Sequence, residues 1–339
     1  MSKTILVTGG AGFIGSHTVV ELLERNYKVI VVDDFSNSKE SVIERIKQIT
    51  HKDFLSFKLN MLDKLKLREV FEKNKIDSVI HFAGLKAVGE SVEKPMLYYR
   101  HNIDITLNLV ELMEEYEINN LVFSSSATVY GMDNKVPFVE GMPLNAVSPY
   151  AATKLIIERI LVDIQKAYSN FNIAILRYFN PVGAHASGII GEDPEGIPNN
   201  LMPYLAQVGS GLRDRLNVFG GDYQTHDGTA IRDYIHVNDL AEGHILALEK
   251  LYKEKVGCEA YNLGSGSGYS VLDIVKAYEE VLGKKISYKI VDRRDGDIER
   301  MLADITKSKR ELSFNVSKSL YDMCKDTIKW QEYTNLHKL

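Results

Sequence analysis

The chain has 339 residues, of which 45% are hydrophobic and 26% are charged, and its formal net charge is −5. This length predicts one large or two modest domains, and the composition excludes collagen-like, disordered and disulfide-scaffold proteins. A mildly acidic chain is poorly suited to bind DNA or an anionic membrane over a broad face, so we expect no nucleic-acid and no membrane partner.

Short apolar runs alternate with helical patterns from the start of the chain to about residue 177. The runs that we predict to be strands are residues 4–8, 29–32, 55–59, 78–82, 121–123 and 173–176. The helical patterns cover residues 13–24, 65–71, 95–116 and 150–167. Continuous apolar strands that alternate with amphipathic helices are typical of a parallel sheet with helices on both faces. We therefore predict an α/β fold with a Rossmann-type, doubly wound parallel sheet.

The alternation stops after Arg177, where the composition changes. Residues 180–203 are rich in Gly, Pro, Asn and Asp, which is typical of a long functional loop. The elements that follow are shorter and mixed. We predict a Rossmann domain over residues 1–180 and a smaller mixed α/β substrate-binding domain over residues 181–339. Some later segments, such as 232–236, are expected to return to the large domain.

Three glycines lie between the first predicted strand and the first predicted helix. At Gly9, Gly12 and Gly15, a Cβ atom would keep the backbone away from a pyrophosphate. The helix that starts with Phe13 and Ile14 would offer unpaired N–H groups and a partial positive charge to the phosphates. A plain turn is the alternative, but the order of strand, turn and helix favours a dinucleotide site.

Two aspartates, Asp33 and Asp34, end the second predicted strand. A carboxylate at this place hydrogen-bonds the adenosine ribose and repels a 2′-phosphate. Because no arginine occurs between Asp33 and Ser38, the sequence predicts NAD rather than NADP as the cofactor. For Asp34, a solvated turn residue remains the alternative.

A serine cluster and a tyrosine–lysine pair form a candidate catalytic set. Ser126 ends the cluster after the fifth predicted strand, and Tyr150 and Lys154 share one face of the next helix. A free tyrosine titrates near ~10, and lowering that pKa by about 3 requires ~4 kcal/mol. One ammonium about 4 Å away supplies roughly that energy at an effective dielectric of ~20. We therefore expect Lys154 and an oxidised nicotinamide to make Tyr150 a base for an alcohol, with Ser126 bonded to the same oxygen. The alternative is a half-buried core tyrosine beside a solvated lysine.

Five longer stretches resemble a known family, and they are residues 81–91, 123–131, 176–185, 196–203 and 231–237. Over nearly the whole chain, the sequence resembles the extended short-chain dehydrogenases/reductases and, among them, the UDP-glucose 4-epimerase family. The resemblance implies that Tyr150 removes the proton of the sugar C4 hydroxyl while a tightly held NAD takes the C4 hydride. The 4-keto sugar then turns over and receives the hydride on its opposite face, which interconverts UDP-galactose and UDP-glucose.

The resemblance also implies two sets of binding residues. The cofactor set comprises Gly12, Phe13, Asp33, Asp34, Phe35, Ser36, Asn37, Ser38, Asn60, Met61, Phe82, Ala83, Gly84, Leu85, Lys86, Asn102, Ser126, Tyr150, Lys154 and Phe179. The substrate set comprises Ser126, Tyr150, Asn180, Asn200, Leu201, Asn217, Val218, Phe219, Arg232, Arg294, Asp297 and Met301. Arginine forks are well suited to a diphosphate, although a surface ion pair is the alternative for Arg232 and Arg294.

Three positions depart from the family pattern. In the family, a bulky side chain at the position of Met301 blocks the acetamide of N-acetylated sugars. Methionine is intermediate in bulk and flexible. We therefore predict activity mainly on UDP-glucose and UDP-galactose, with weak activity on UDP-GlcNAc and UDP-GalNAc. Asn60 replaces an aspartate near the adenine. His101 precedes Asn102 where some relatives have two asparagines, so which of the two contacts the cofactor is open.

The resemblance further implies a homodimer that pairs helices 95–116 and 150–167 across a twofold axis. The apolar residues available for such pairing are Leu107, Leu109, Leu155, Ile156 and Ile160. Packing within one core would explain them equally well.

The remaining composition predicts a cytoplasmic protein without a catalytic metal. Cys258 and Cys324 lie far apart, as expected of buried thiols in a reducing compartment. No apolar run approaches about 18 residues, and the first residues lack a signal-peptide core. The nine histidines show no metal-binding spacing.

Three other functions are alternatives to epimerisation. A nucleotide-sugar 4,6-dehydratase needs an Asp/Glu pair where this chain has Ala127 and Thr128. A reductase of a soluble ketone needs an exchangeable cofactor, whereas an epimerase retains it. A sensor of the nicotinamide redox state need not keep Ser126, Tyr150 and Lys154 together.

Overall fold

The computed structural model describes residues 2–194, 196–294 and 297–337. The strands are β1 (Thr4–Thr8), β2 (Lys28–Asp33), β3 (Leu55–Lys58), β4 (Ser78–His81), β5 (Asn120–Ser126), β6 (Asn172–Tyr178), β7 (Asn180–Val182), β8 (Leu216–Phe219), β9 (Ile231–His236), β10 (Cys258–Leu263), β11 (Gly268–Ser270), β12 (Tyr288–Val291) and β13 (Arg300–Met301). The helices are α1 (Phe13–Glu24), α2 (Ser41–Thr50), α3 (Lys64–Lys73), α4 (Val88–Glu93), α5 (Pro95–Glu115), α6 (Pro149–Ala167), α7 (Leu201–Gly209), α8 (Val237–Lys253), α9 (Val271–Leu282), α10 (Thr306–Leu312) and α11 (Leu320–His337).

Seven strands form one parallel sheet in the order β10-β6-β5-β4-β1-β2-β3. Alternate side chains of β1 enter different cores: Ile5 and Val7 pack with α1, α2 and α8, and Leu6 packs with α3, α5 and α6. Because both faces are covered, the strand is apolar throughout instead of alternating with polar residues. The predicted Rossmann-type doubly wound sheet is confirmed.

Two smaller sheets lie in the second half of the chain. One joins β11, β9 and β13, with β7 paired to β9, and the other pairs β12 with β8. A separate core fills the space between β8, α7, α9 and α11. Of the predicted loop over residues 180–203, the described residues between β7 and α7 form no strand or helix, whereas the motif around Arg232 lies on a short strand.

The sequence-based assignment was wrong in two places. Helix α2 was missed, although the helical spacing of its apolar residues 42, 43, 46 and 49 was an available signal. Residues 232–236 were expected to return to the large domain, but β9 belongs to the second sheet. Instead β10 extends the large sheet beside β6, and α8 packs on its face. Within the described ranges, no helix combines the length and apolar character that crossing a bilayer requires.

Candidate active site

The candidate site lies at the carboxyl ends of the large sheet's strands, where the chain reverses its direction of winding. Strands β2 and β3 lie on one side of β1, and β4, β5 and β6 lie on the other. Ligands of doubly wound sheets bind in the crevice at this switch point. The sheet register brings Thr8 of β1 beside His81 of β4, and Ser126 of β5 beside Tyr178 of β6.

The glycine turn after β1 has no room for side chains. Gly9 has φ +69°, and a Cβ on it would lie 2.7 Å from the backbone nitrogen of Ala83. A Cβ on Gly15 would lie 2.2 Å from the carbonyl oxygen of Gly9. Helix α1 begins at Phe13, and in the described part of the chain no side chain caps it at Gly12. Its first N–H groups, including that of Ile14, are thus left to a ligand, and the turn fits a pyrophosphate.

Asp33 ties this glycine turn to the loop that follows β2. One carboxylate oxygen accepts from the Ala11 N–H at 2.9 Å, and the other accepts from the Phe35 N–H and the Ser38 hydroxyl, both at 2.9 Å. Burial raises the pKa of Asp33, and these hydrogen bonds lower it in part. An adenosine ribose bound here would therefore donate to Asp33 carboxylate oxygens that already accept hydrogen bonds from the turn and the loop.

The other predicted adenine-side residues surround this loop. The Asp34 carboxylate accepts from the Ser36 N–H at 2.9 Å, which places it in a local turn, and Asn37 is exposed. The Asn60 side chain accepts from the Leu62 N–H at 2.9 Å. Because the side chain of Met61 is buried in the core, only its backbone is available to a ligand.

The three predicted catalytic side chains come together between β5 and α6. Tyr150 lies in the first turn of α6, whose start is set by Pro149 and by the Ser148 hydroxyl, which accepts from the Ala151 N–H. The Ser126 hydroxyl lies near the Tyr150 side chain and lowers its pKa. One turn along α6, the buried Lys154 donates to the Ser124 carbonyl at 2.7 Å.

Without its cofactor, the protein does not yet favour a Tyr150 phenolate, and the joint effect of Lys154 and an oxidised nicotinamide stays a prediction. Burial raises the pKa of Tyr150, and the nearby Ser126 hydroxyl lowers it in part. Burial also lowers the pKa of Lys154 to about 8, although the Glu158 carboxylate opposes this. Removing both groups from water disfavours both charged forms, and the ammonium is turned toward the Ser124 carbonyl. A further positive charge in the site is needed to favour a phenolate.

The loop after β4 is held against α5 and α6 by Asn102. Its side-chain oxygen accepts from the Leu85 N–H at 2.8 Å, and its amide donates to the Leu85 carbonyl and the Thr153 hydroxyl. Of the two candidates on α5, His101 and Asn102, it is therefore Asn102 whose side chain binds the loop. The Phe82 ring lies 4.7 Å from the His244 ring, between centroids.

Glu192 joins two of the predicted binding segments. Its carboxylate accepts from the Asn200 amide at 2.8 Å and lies 3.5 Å from the Lys86 ammonium. Asn200 is followed directly by Leu201, the first residue of α7. Glu192 was not predicted as a site residue, because it lies in the Gly- and Asp-rich stretch and has no spacing signal.

The second sheet places several predicted substrate residues on neighbouring strands. Asn180 lies on β7, Arg232 on β9 and Met301 directly beside Arg232 on β13. The side-chain oxygen of Asn180 is buried and has no hydrogen-bond partner within the described ranges. An unpaired buried acceptor is costly, so this oxygen fits a donor from a ligand. Phe179 packs in the same small core as Met301.

The two predicted arginines differ in their surroundings. The Arg232 guanidinium forms an ion pair with Asp297 and donates to the Ile231 carbonyl at 2.9 Å. Arg294 is exposed, and its guanidinium lies 3.8 Å from the centroid of the Phe219 ring. Arg294 is therefore open to an anionic ligand, whereas a ligand would have to compete with Asp297 for Arg232.

Two neighbours on β8 differ in what they offer a ligand. Asn217 is exposed, whereas Val218 is packed in the core of the second half, so only its backbone is available. The alternation of strand side chains explains this difference.

A buried ion pair behind the catalytic residues was missed by the sequence analysis. Glu158 binds Arg177 at 2.7 Å and accepts from the Ser125 hydroxyl, and Arg177 also donates to the Tyr130 hydroxyl. Glu158 lies four residues after Lys154 on the same face of α6. This spacing was the available signal.

One group of side chains in the described part of the chain is close enough to hold a metal ion, formed by His226, Asp227 and Asp273. Asp227 accepts from the Thr229 N–H and hydroxyl, and Asp273 accepts from the Ser270 N–H in the capping box of α9. Turn and helix capping account for both carboxylates. The absence of a catalytic metal stays a prediction.

Comparisons with known proteins agree with this geometry. Residues 5–264 match the model of the NAD dependent epimerase/dehydratase family. A UDP-glucose 4-epimerase of Bacillus subtilis (strain 168) is 55% identical over 327 residues, which cover 96% of each chain. A UDP-glucose-4-epimerase structure from Stenotrophomonas maltophila, with bound NAD and formylated UDP-arabinopyranose, has a TM-score of 0.97, 46% identity and 99% coverage of both chains. A Bifidobacterium longum UDP-glucose 4-epimerase with NAD⁺ and UDP has a TM-score of 0.94 and 47% identity, and covers 98% of this chain and 99% of its own.

Proposed function

Because the chain belongs to the NAD dependent epimerase/dehydratase family, we propose that it is an NAD-dependent epimerase that interconverts UDP-galactose and UDP-glucose. The observation that carries the proposal is the meeting of Ser126, Tyr150 and Lys154 beside an uncapped glycine turn. This arrangement couples a proton-transferring phenol to a dinucleotide pocket. Relatives with bound NAD and UDP support the same cofactor and substrate class.

The chain's own residues supply the proton transfer. NAD, when bound, supplies the acceptor and then the donor of the C4 hydride and adds a positive charge beside Tyr150. The Tyr150 oxygen takes the proton of the C4 hydroxyl and later returns it. Ser126 hydrogen-bonds the Tyr150 oxygen and orients it, and Lys154, fixed by the Ser124 carbonyl, adds a second positive charge to the pocket.

The second half of the chain holds the nucleotide diphosphate. Arg232 and Arg294 offer guanidinium forks, and a diphosphate would compete with Asp297 for Arg232. The unpaired oxygen of Asn180 offers a hydrogen-bond acceptor near them on β7. Firm binding of UDP with loose binding of the hexose allows the 4-keto sugar to turn over.

Met301 sets the range of sugars. Its half-buried side chain packs in the small core with Phe179 and Phe138, next to Arg232 on β9. A flexible thioether can yield partly to an acetamido group. The enzyme acts mainly on UDP-glucose and UDP-galactose and weakly on the N-acetylated sugars.

The protein forms a homodimer in the cytoplasm. Of the apolar residues on α5 and α6, Leu109 is fully buried in one chain and needs no partner. Ile156 is 38% exposed, and Met96 and Val92, at the start of α5 and on α4, are 67% and 64% exposed. This apolar surface supports pairing with a second copy. Both cysteines are free thiols, as expected in a reducing compartment.

Product analysis without added cofactor tests the proposal. The purified protein is incubated with UDP-galactose, UDP-GlcNAc or UDP-glucuronic acid separately, without added NAD, and the products are identified by NMR. UDP-glucose should form from UDP-galactose, because the cofactor is retained and regenerated. Failure to convert any of the three, even after NAD is supplied, would refute the proposal.

The same samples distinguish the rival enzymes. A ketone reductase would lose its cofactor on dialysis, and sugar addition would leave no NADH absorbance. A 4,6-dehydratase would release a 4-keto-6-deoxy sugar. Its acid–base pair would need carboxylates at Ala127 and Thr128, and neither side chain has one. Ala127 is buried, and the Thr128 hydroxyl donates to Ser126.

A further inference from the structure

A buried line of hydrogen bonds runs from the end of β1 through His81 to α5. The Thr8 hydroxyl lies 2.6 Å from His81 Nδ1, and the Thr106 hydroxyl lies 3.0 Å from His81 Nε2. Beyond Thr8, the Ala83 N–H donates to the Thr8 oxygen at 3.4 Å. Beyond Thr106, the Thr106 hydroxyl donates to the Asn102 carbonyl at 2.8 Å. No part of this line belongs to the catalytic set.

The order of donors determines the tautomer of His81. Thr106 has one hydroxyl proton, which it gives to the Asn102 carbonyl, so its oxygen can only accept from the ring. The proton of the neutral imidazole therefore lies on Nε2. Nδ1 is then an acceptor, and Thr8 donates to it while accepting from the Ala83 N–H. Burial and the nearby Lys154 lower the pKa of His81 to about 3, so the ring stays neutral.

The line connects to both parts of the candidate site. Thr8 directly precedes the glycine turn at Gly9. At the other end, the side chain of Asn102 binds the N–H and the carbonyl of Leu85 and donates to the Thr153 hydroxyl. Thr153 in turn donates to the Tyr150 carbonyl at 2.7 Å. The His81 imidazole is therefore connected by hydrogen bonds to Thr8 before the glycine turn and, through Thr8, to the loop after β4. Through Thr106 and Asn102 of α5, it is also connected to the first turn of α6.

We propose that His81, held in its Nε2–H tautomer by Thr8 and Thr106, is a positioning residue that sets loop 83–86 against the glycine turn and the Tyr150 helix for dinucleotide binding. The proposal rests on the proposed function, because it takes NAD as the ligand of this pocket. His81 itself lies behind the loop, and it acts through Ala83 and Asn102 without touching the reacting atoms.

The first test reads the tautomer directly and does not depend on activity. The protein is labelled with ¹⁵N-histidine, and the ring nitrogens of His81 are assigned by comparison with a His81→Asn sample. We expect the Nε2–H form in the wild type and in Thr106→Ser, which keeps the hydroxyl. An Nδ1–H ring or an imidazolium in the wild type would overturn the proposal, even if every threonine variant failed to fold.

The second test asks whether the two threonines act through the ring. Thr8→Val and Thr106→Val each leave a buried polar group unpaired, and we expect each to release NAD about tenfold faster. The two threonines bind opposite nitrogens of one ring, so the imidazole couples them directly. With Thr106 removed, the ring can carry its proton on Nδ1 and donate to Thr8. The double variant should therefore differ from the product of the single effects by at least about threefold.

The controls separate positioning from general loss of structure. Thr8→Ser and Thr106→Ser should release NAD at nearly the wild-type rate, and the KM for UDP-galactose should stay within about twofold in folded variants, since no substrate contact changes. Strictly multiplicative effects, or equal losses in the serine variants, would overturn the proposal. A wild type that purifies without NAD and binds none would instead refute the proposed function, while the tautomer measurement would still stand or fail separately.

Discussion

Replacing Lys154 by methionine should stabilise the NAD-free protein at neutral pH while it weakens the catalytic site. Lys154 is 5% exposed, and burial lowers its pKa from 10.5 to about 8. This fall corresponds to about 3 kcal/mol that the folded chain loses by keeping a buried ammonium, relative to a hydrated one. Methionine fills a similar volume without a charge. Loss of the hydrogen bond to the Ser124 carbonyl offsets about 1 kcal/mol of the gain.

The pH dependence separates the charge from all other effects of the substitution. Below pH about 8, Lys154 is protonated in both states, and the cost of burying the charge is present in full. Between pH about 8 and 10.5, the unfolded chain binds more protons than the folded one, so the wild type gains stability as the pH rises. The advantage of Lys154→Met should thus shrink by about 3 kcal/mol between pH 7 and pH 10.5. The lost hydrogen bond and any packing change are independent of pH and cannot produce this slope.

Urea unfolding of NAD-depleted protein at several pH values between 7 and 10.5 measures this difference. Lys166→Met is the matched control, because Lys166 lies exposed at the end of the same helix. Its stability relative to the wild type should not change with pH. A constant difference for Lys154→Met, or one that grows with pH, would refute the assignment of a buried ammonium with a lowered pKa.

Substitutions at three further residues test the site. Glu158→Gln leaves Arg177 without its buried partner and should lower the free energy of unfolding by about 3–5 kcal/mol in urea titrations, and a loss below about 1 kcal/mol would contradict a buried ion pair. Tyr150→Phe should reduce the rate of UDP-galactose conversion about 10²–10⁴-fold per molecule of bound NAD, whereas the exposed control Tyr168→Phe should retain activity; equal rates would exclude Tyr150 as the base. Met301→Ser should raise turnover of UDP-GlcNAc relative to UDP-glucose and Met301→Tyr should lower it, and an unchanged ratio in both would remove Met301 as the gate.

Local patterns predicted much of the fold. Helix α1 was predicted at residues 13–24 and is observed at Phe13–Glu24, because the glycine turn before it and its own apolar periodicity set both ends. Strand β5, predicted at residues 121–123, continues to Ser126, because its three serines pair with β6 in the sheet. Serines at the end of a strand show no apolar pattern in the sequence. The full length of β5 is therefore visible only from its pairing with the neighbouring strand.

The candidate site also has features that the sequence predicted and features that only the structure shows. The spacing of Tyr150 and Lys154 on one helix face was readable, since four residues make one helical turn. The partner of Arg232 was not: the adjacent Asp233 was the obvious choice, but its carboxylate is buried and accepts from Ser265, Gly266 and Ala303. Asp297 pairs with Arg232 instead, because β13 runs beside β9.

The sequence by itself determined the parallel sheet, the glycine turn and the identity of the candidate base and its lysine, because helical and strand periodicity and backbone access depend on neighbouring residues. Only the tertiary structure decided the pKa shifts and the ion-pair partners of the site residues. In the protein without its cofactor, burial raises the Tyr150 pKa, Lys154 donates to the Ser124 carbonyl and Glu158 pairs with Arg177. Desolvation and pairing act between groups that the chain brings together from distant positions, so no local pattern carries them.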